Sequence, residues 1–336
     1  MKAWLLKDFG LDNLQLGEVA TPQPRAGELL VKVGAVSLNY RDKAIVDGIY
    51  EPHKVPKPLI PVSDAAGTVV ALGDGVTRFK VGDRVNSHLY SRWLDGAPGP
   101  HEPDYCFGSP LPGGLAEYMI IHQDSAVAAP ANMSDEEAAT LPIAALTAWY
   151  SLVDFGQIQP GQTVLVQGTG GVSIFAVQIA TALGAKVIAT SSRDDNLQAV
   201  KRRGAVAGIN YRTTPDWAGE VLKLTDGKGV DLLLDVAGGS GINQSVAATK
   251  ASGRIAQIGF LTGQTAALDL MPLIFRQTTL RGIAVAPRSS FDRMNEFLNQ
   301  HDIRPVIDQV YPFEQAREAY AHLAKGAFGK VVIKVG

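Results

Sequence analysis

The 336-residue sequence predicts an α/β chain of two domains, one β-rich and one built on a doubly wound parallel sheet. Three observations carry this. A chain of that length exceeds what one hydrophobic core usually serves. Its first third alternates strand-like runs with Pro- and Gly-rich turns. From Gln162 onward, short apolar strands alternate with helical stretches, the pattern of a parallel sheet covered on both faces.

In order, residues 29–33 and 67–72 are strand-like, separated by turns such as 21–27. Residues 79–85 read as a turn feeding another strand. The Pro- and Gly-rich stretch 91–114 predicts a long irregular loop, of a kind that often covers a site. A strand over 164–167 leads into a helix over 173–183 that Gly184 closes. The strand 186–191 follows, then a helix capped by Asp194 or Asp195 that runs to Arg203 and stops at Gly204. Strand 207–211, helix 217–224, buried strand 230–236, helix 243–250 and strand 254–259 complete the alternation. Residues 279–286 come last there, which puts them at the sheet edge. The tail from Phe291 holds one more helix near 313–323 and a closing strand, 330–334. No internal repeat is present.

Gly168, Thr169, Gly170, Gly171, Val172 and Ser173 lie between the 164–167 strand and its helix. A strand that stops in a Gly-rich turn and restarts as a helix aims free N–H groups and the positive helix end at one point, where a pyrophosphate fits. Gly168 permits the turn, and Gly170 removes the Cβ that would block phosphates. The third small position lets helix lie close to strand, and here it is Ser173, one heavy atom larger than Ala. Such glycines also occur in ordinary turns; the flanking strand and helix make the difference. An NAD site places Asp or Glu at the end of its second strand. This chain has Ser191, Ser192 and Arg193, which suit a phosphate and predict NADPH. The alternative has Arg193 solvated and Asp194 turned back to the ribose. Tyr211 either packs on the adenine side or covers the core.

Composition excludes several classes. Lys+Arg 31 against Asp+Glu 33 gives a net charge of -2 with no basic block, so a nucleic-acid partner is not expected. Charges at Lys2, Lys7 and Asp8 break any secretory h-region, and no uninterrupted apolar run approaches a membrane span. A cytoplasmic location is expected. Cys106 is the only cysteine, so an internal disulfide is impossible and a thiolate zinc site is not expected. The six histidines lack metal-site spacing.

In order and spacing, several motifs together resemble the medium-chain dehydrogenase/reductase superfamily, in its zinc-independent, quinone-oxidoreductase-like branch. They are the start Met1-Lys2-Ala3-Trp4, the run 35–42, Val81-Gly82-Asp83-Arg84-Val85, Gly114-Leu115-Ala116-Glu117-Tyr118, the 167–173 turn, Asp235-Val236-Ala237-Gly238-Gly239, 253–259 and Gly329-Lys330-Val331-Val332. The resemblance implies a GroES-like substrate domain over 1–144, a Rossmann domain over 145–283 and a return to the substrate domain over 284–336. It implies hydride transfer from a nicotinamide, with Val236, Ile258, Gly259 and Lys330 among the cofactor residues and the Thr147 hydroxyl facing the nicotinamide. Zinc relatives ligate metal with Cys, His or Glu, and Cys at three positions. Here Asn39 stands at the first, Ser63 and Asp64 at the second, and Ile143 near the third, which predicts metal-free catalysis.

Without zinc, hydrogen bonding must stabilise the developing oxyanion or enolate. Tyr50 falls where enoyl-reductase relatives place a tyrosine near substrate, or else is a surface loop residue. Asn39 can orient substrate; Arg41 and Asp42 are site residues or a structural ion pair. The expected function is an NADPH-dependent reductase of a carbonyl or activated C=C in a quinone, enone or small aldehyde. Alternatives are an alcohol dehydrogenase working oxidatively and a catalytically silent NADPH-binding sensor. The edge run 279–286, with Arg281 its only charge, predicts a homodimer through the sheet, unless the chain's own tail covers it.

Overall fold

The computed structural model describes residues 1–336. Strands β1 (Lys2–Leu6), β2 (Leu14–Glu18) and β3 (Glu28–Leu38) precede helix α1 (Tyr40–Val46). Next come β4 (Asp64–Leu72), β5 (Arg84–Asn86), β6 (Tyr118–His122), β7 (Val127–Ala128), α2 (Asp135–Ala138) and α3 (Leu146–Trp149). The alternation then starts: β8 (Thr163–Gln167), α4 (Gly171–Ala182), β9 (Lys186–Ser191), α5 (Asp194–Lys201), β10 (Ala205–Asn210) and α6 (Trp217–Leu224). It continues through β11 (Val230–Asp235), α7 (Ile242–Ala248), β12 (Thr249–Gln257), α8 (Leu270–Arg276) and β13 (Thr279–Gly282). The tail adds α9 (Arg288–Gln300), β14 (Ile307–Pro312), α10 (Ala316–Lys325) and β15 (Lys330–Lys334). Two compact units result, one of Met1–Leu146 with Val285–Gly336 and one of Thr147–Ala284.

The first unit is GroES-like. Its main sheet runs β14-β15-β3-β4-β5-β7, with β6 also paired to β3. The long β3 is the hub, because apolar side chains on both of its faces are buried. Leu29, Val31, Val36 and Leu38 join Ile45, Val69, Ile121, Val331 and Ile333 in one core. The closing strand β15 pairs antiparallel with β3, setting Val332 against Ser37. That pairing brings the end of the chain to the start of α1.

The second unit is a six-stranded parallel Rossmann sheet in the order β10-β9-β8-β11-β12-β13. Leu165, Ile188, Leu233 and Ile255 lie in register across four strands. They pack with Trp217 and Val221 of α6 and Val246 of α7. Each such buried aliphatic contributes about 1.5–3 kcal/mol. Strand order reverses between β8 and β11, so the carboxyl end of β8 stands at the switch point where α/β sheets bind ligand.

Several expectations need correction. The helix after β9 is not capped by Asp194 or Asp195: Arg193 holds the N-cap without a side-chain cap, and both aspartates lie in the first turn. The edge strand is short, ending at Gly282, because Ile283 turns inward and is 5% exposed. Helix α9 and strand β14 escaped the sequence reading. Phe291, Met294 and Leu298, at i, i+3 and i+7, give α9 a clear apolar stripe that was overlooked, whereas β14 is an exposed edge strand with no buried face to set a pattern. The helical stretch 135–155 is long and apolar enough to cross a membrane by composition, and most of it is buried inside the protein, as a core helix is.

Candidate active site

The nucleotide-binding turn is assembled wholly within the Rossmann unit. Gly168 adopts φ +74 just past β8, a conformation other residues rarely take. Gly170 is the N-cap of α4 with no side-chain cap, and a Cβ there would meet nothing within 4 Å. The helix start therefore presents uncapped N–H groups to open space, a cradle that fits a pyrophosphate. Ser173 fits the third position because it is bonded, not because it is small. Its hydroxyl is buried and donates to the Gln167 carbonyl at 2.7 Å, clamping helix to strand. Thr169 accepts from Asn196 Nδ2 at 2.8 Å, which ties the turn to α5. Gly171 and Val172 form the first turn of α4.

The turns after β11 and β12 close in beside this one. Buried Asp235 organises them: its Oδ1 accepts from the Ala237 and Gly238 N–H groups at 3.1 and 2.9 Å, and its Oδ2 from Ser245 at 2.7 Å. Its own carbonyl accepts from the Ile258 and Gly259 N–H groups at 2.8 and 3.1 Å. A Cβ on Gly259 would lie 2.0 Å from the Val236 carbonyl oxygen, so only glycine permits this approach. Val236, Ile258 and Gly259 are thus brought together. Asp235 opens one of the quoted motifs but was given no role there, and Asn196 was not singled out, since its partner Thr169 lies 27 residues away.

At the carboxyl ends of β9 and β10, Ser191 is buried and its Oγ accepts from the Arg193 N–H at 3.2 Å. Ser192 is half-buried and Arg193 is exposed. Asp194 is engaged elsewhere, accepting from Asn210 Nδ2 at 2.8 Å. Tyr211 is 43% exposed, which removes the core-covering alternative. Thr147 is buried within α3.

In the GroES-like unit a buried polar network centres on Asn39. Lys330 Nζ donates to Asn39 Oδ1 at 2.6 Å and to the Leu38 carbonyl at 2.9 Å. Asn39 Nδ2 donates to Asp64 Oδ2 at 2.9 Å, and the Ile143 N–H donates to the same oxygen at 3.2 Å. Asp64 Oδ1 is buried without a partner. Burial raises the Asp64 carboxyl to about 7 against the pull of Lys330, and burial lowers the Lys330 ammonium. Both ends of the Asn39 amide are therefore bonded within the chain, which fixes the orientation of the side chain expected to orient substrate. Lys330, expected at the cofactor, has its ammonium on Asn39.

Arg41 and Asp42 do not form an ion pair with each other, one of the two readings of them. Asp42 accepts from the Asn39 N–H at 2.8 Å and from the Ser63 N–H and hydroxyl at 3.0 and 2.9 Å. Arg41 donates to Ser63 Oγ at 2.6 Å and to the Phe107 and Ser109 carbonyls at 3.1 and 2.6 Å. Its guanidinium carbon lies 5.1 Å from the centre of the Tyr50 ring, which is partly buried on the core. The loop 91–114 is thus pinned to α1, and Tyr50 is held against the pin.

Zinc does not fit the residues present. Where zinc relatives place three ligands, this chain offers an amide oxygen already bonded to an ammonium, one carboxylate and an isoleucine. No three His, Cys, Asp or Glu side chains converge anywhere as a metal site.

Comparison with known proteins gives the wider setting. The alcohol dehydrogenase GroES-like domain family matches residues 25–131, and the zinc-binding dehydrogenase family matches residues 171–300. A zinc-type alcohol dehydrogenase-like protein of Schizosaccharomyces pombe is 41% identical over 97% of this chain and 96% of its own. A chloroplastic quinone-oxidoreductase homolog of Spinacia oleracea is 33% identical over 97% and 95%. Among solved structures, a Sinorhizobium meliloti 1021 protein assigned as an alcohol dehydrogenase superposes with TM-score 0.93 at 40% identity, covering 99% and 98%. An NAD-dependent alcohol dehydrogenase gives 0.90 at 33%, and a mycobacterial protein complexed with NADPH gives 0.84 at 28%; both cover 100% of each chain. The chain therefore belongs to the medium-chain dehydrogenase/reductase superfamily and is an NAD(P)H-dependent oxidoreductase of the alcohol dehydrogenase and quinone oxidoreductase type.

Proposed function

We propose that the chain is a zinc-independent, NADPH-dependent reductase that delivers hydride to a carbonyl or activated C=C in a quinone, enone or small aldehyde. The end of β9 carries this reading. It carries the buried Ser191, the half-buried Ser192 and the exposed Arg193, and Asp194 Oδ1 accepts from Asn210. A guanidinium with neighbouring hydroxyls suits a 2′-phosphate, whereas an NAD site places a carboxylate at the end of the second strand, where this chain has Ser191. Structural neighbours include one NAD-dependent enzyme and one NADPH complex, so the choice rests on this chain's own residues.

NADPH supplies the hydride when bound. The Gly168–Val172 turn would hold its pyrophosphate, and the Thr147 hydroxyl would orient the nicotinamide. Tyr50 donates a hydrogen bond to the substrate oxygen and then its proton, a role the Arg41 contact pre-orients. The zinc-type relatives support the oxidative direction as a second reading, but no residue here acidifies an alcohol as zinc would.

The chain is also proposed to form a homodimer through the Rossmann sheet edge. Strand β13 is exposed along its length, and beside it in sequence α8 exposes Leu270, Met271, Ile274 and Phe275 at 58–75%. Such a contiguous apolar edge is costly in water, and a two-fold axis covers it with its own copy.

Three measurements test these statements. In parallel fluorescence titrations the wild type should bind NADPH more tightly than NADH, and Ser191→Asp should invert the order; tighter NADH binding by the wild type refutes the cofactor assignment. Against a panel of quinones, enones and aldehydes, NADPH should be oxidised, and Tyr50→Phe should slow turnover by about 10²-fold or more without weakening NADPH binding. No turnover on any compound points to a sensor, and an unimpaired Tyr50→Phe removes Tyr50 from the mechanism. Light scattering should give twice the 35.7 kDa chain mass, falling to one chain in Ile274→Asp/Phe275→Asp. A wild-type monomer contradicts the dimer.

A further inference from the structure

We propose that Arg212 is a second guanidinium of the 2′-phosphate site and a determinant of cofactor specificity. The inference rests on the NADPH reading above and adds a residue to it.

Sheet register sets the geometry. β8, β9 and β10 are parallel neighbours, with Gln167 opposite Thr190 and Ser191 opposite Asn210. Their carboxyl ends therefore stand side by side at about 4.8 Å spacing. A nucleotide whose pyrophosphate sits at Gly168 runs outward from the end of β8 across the end of β9 towards β10. Arg193 lies two residues beyond Ser191, and Arg212 two residues beyond its register partner Asn210. The pairing continues one step past the strands, through the Tyr211 N–H to the Ser191 carbonyl at 3.1 Å. The Arg212 N–H then donates to Asn210 Oδ1 at 3.0 Å, so the backbone that carries Arg212 is fixed.

Electrostatics points the same way. Asn210 uses its other end to donate to Asp194 Oδ1 at 2.8 Å, and no ion pair joins Asp194 to either arginine. Arg193 and Arg212 are exposed, and neither guanidinium has a hydrogen-bond or ion-pair partner within the chain. Two unpaired guanidiniums carried just past adjacent strand ends suit a phosphate dianion, which accepts paired hydrogen bonds from each. Tyr211, exposed between them, offers its ring to the adenine.

The test uses NADPH, NADH and 2′,5′-ADP as probes in binding titrations of the wild type, Arg193→Gln and Arg212→Gln. Arg212→Gln should weaken NADPH and 2′,5′-ADP about tenfold, or about 1.4 kcal/mol, and leave NADH within about twofold. If Arg193→Gln weakens NADPH but Arg212→Gln does not, Arg212 is outside the site and the NADPH reading stands. Equal weakening of NADH and NADPH by Arg212→Gln also overturns the inference, because the contact is then not with the phosphate. A wild type that prefers NADH overturns both.

Discussion

The hydrogen bond from Lys330 Nζ to Asn39 Oδ1, 2.6 Å long and buried, fixes the chemistry available to the GroES-like unit. It joins the closing strand to the first residue before α1, across 291 positions of sequence. An ammonium buried this deeply persists only among acceptors and opposite charge. Here it has a carbonyl, an amide oxygen and the fields of Asp64 and Asp42. The bond also fixes which way the Asn39 amide points. Its NH2 group must face Asp64, and Asp64 in turn accepts from the Ile143 N–H. All three positions where zinc relatives place ligands are thereby drawn into one internal network, and the positive charge at its centre belongs to the protein. In the proposed reaction hydrogen bonding activates the substrate, and Tyr50, its ring beside the Arg41 guanidinium, is the proposed donor.

In the Rossmann unit the corresponding constraint is closeness of backbone. Gly259 must be glycine because the Val236 carbonyl lies where a Cβ would go, and Asp235 must be buried because it holds both turns. Ser173 shows how a departure from the usual small residue is absorbed. The extra oxygen, surplus by size, becomes the bond that fastens α4 to β8. The phosphate cradle is thus built from backbone held by second residues, and the proposed 2′-phosphate specificity falls to side chains just past the ends of β9 and β10.

The parts legible in the sequence were the local ones. Gly168 to Ser173 lie between their own strand and helix, and the strand–helix alternation from Gln162 repeats at short range, so both could be read directly. The 330–334 strand was equally plain, but what Lys330 does was not. In sequence it is one lysine at a strand start; only the antiparallel pairing of β15 with β3 sets it beside Asn39. The Asp194 cap failed for a similar reason, since its partner Asn210 comes from the next strand. Helix α9 is the exception, since its stripe of Phe291, Met294 and Leu298 at i, i+3 and i+7 is local and legible and was overlooked. Local physics announces itself within a turn or two, whereas charge compensation depends on which distant segment the fold brings in.

The central claim is that an internal ammonium network stands where relatives would hold metal, and it is tested most directly by metal analysis coupled to turnover. Purified protein, grown with zinc in the medium, is measured for zinc per chain before and after chelation, with NADPH oxidation followed in the same samples. The account predicts no stoichiometric zinc and unchanged turnover after chelator. One zinc per chain, removed by chelator together with activity and restored with it, would contradict the account.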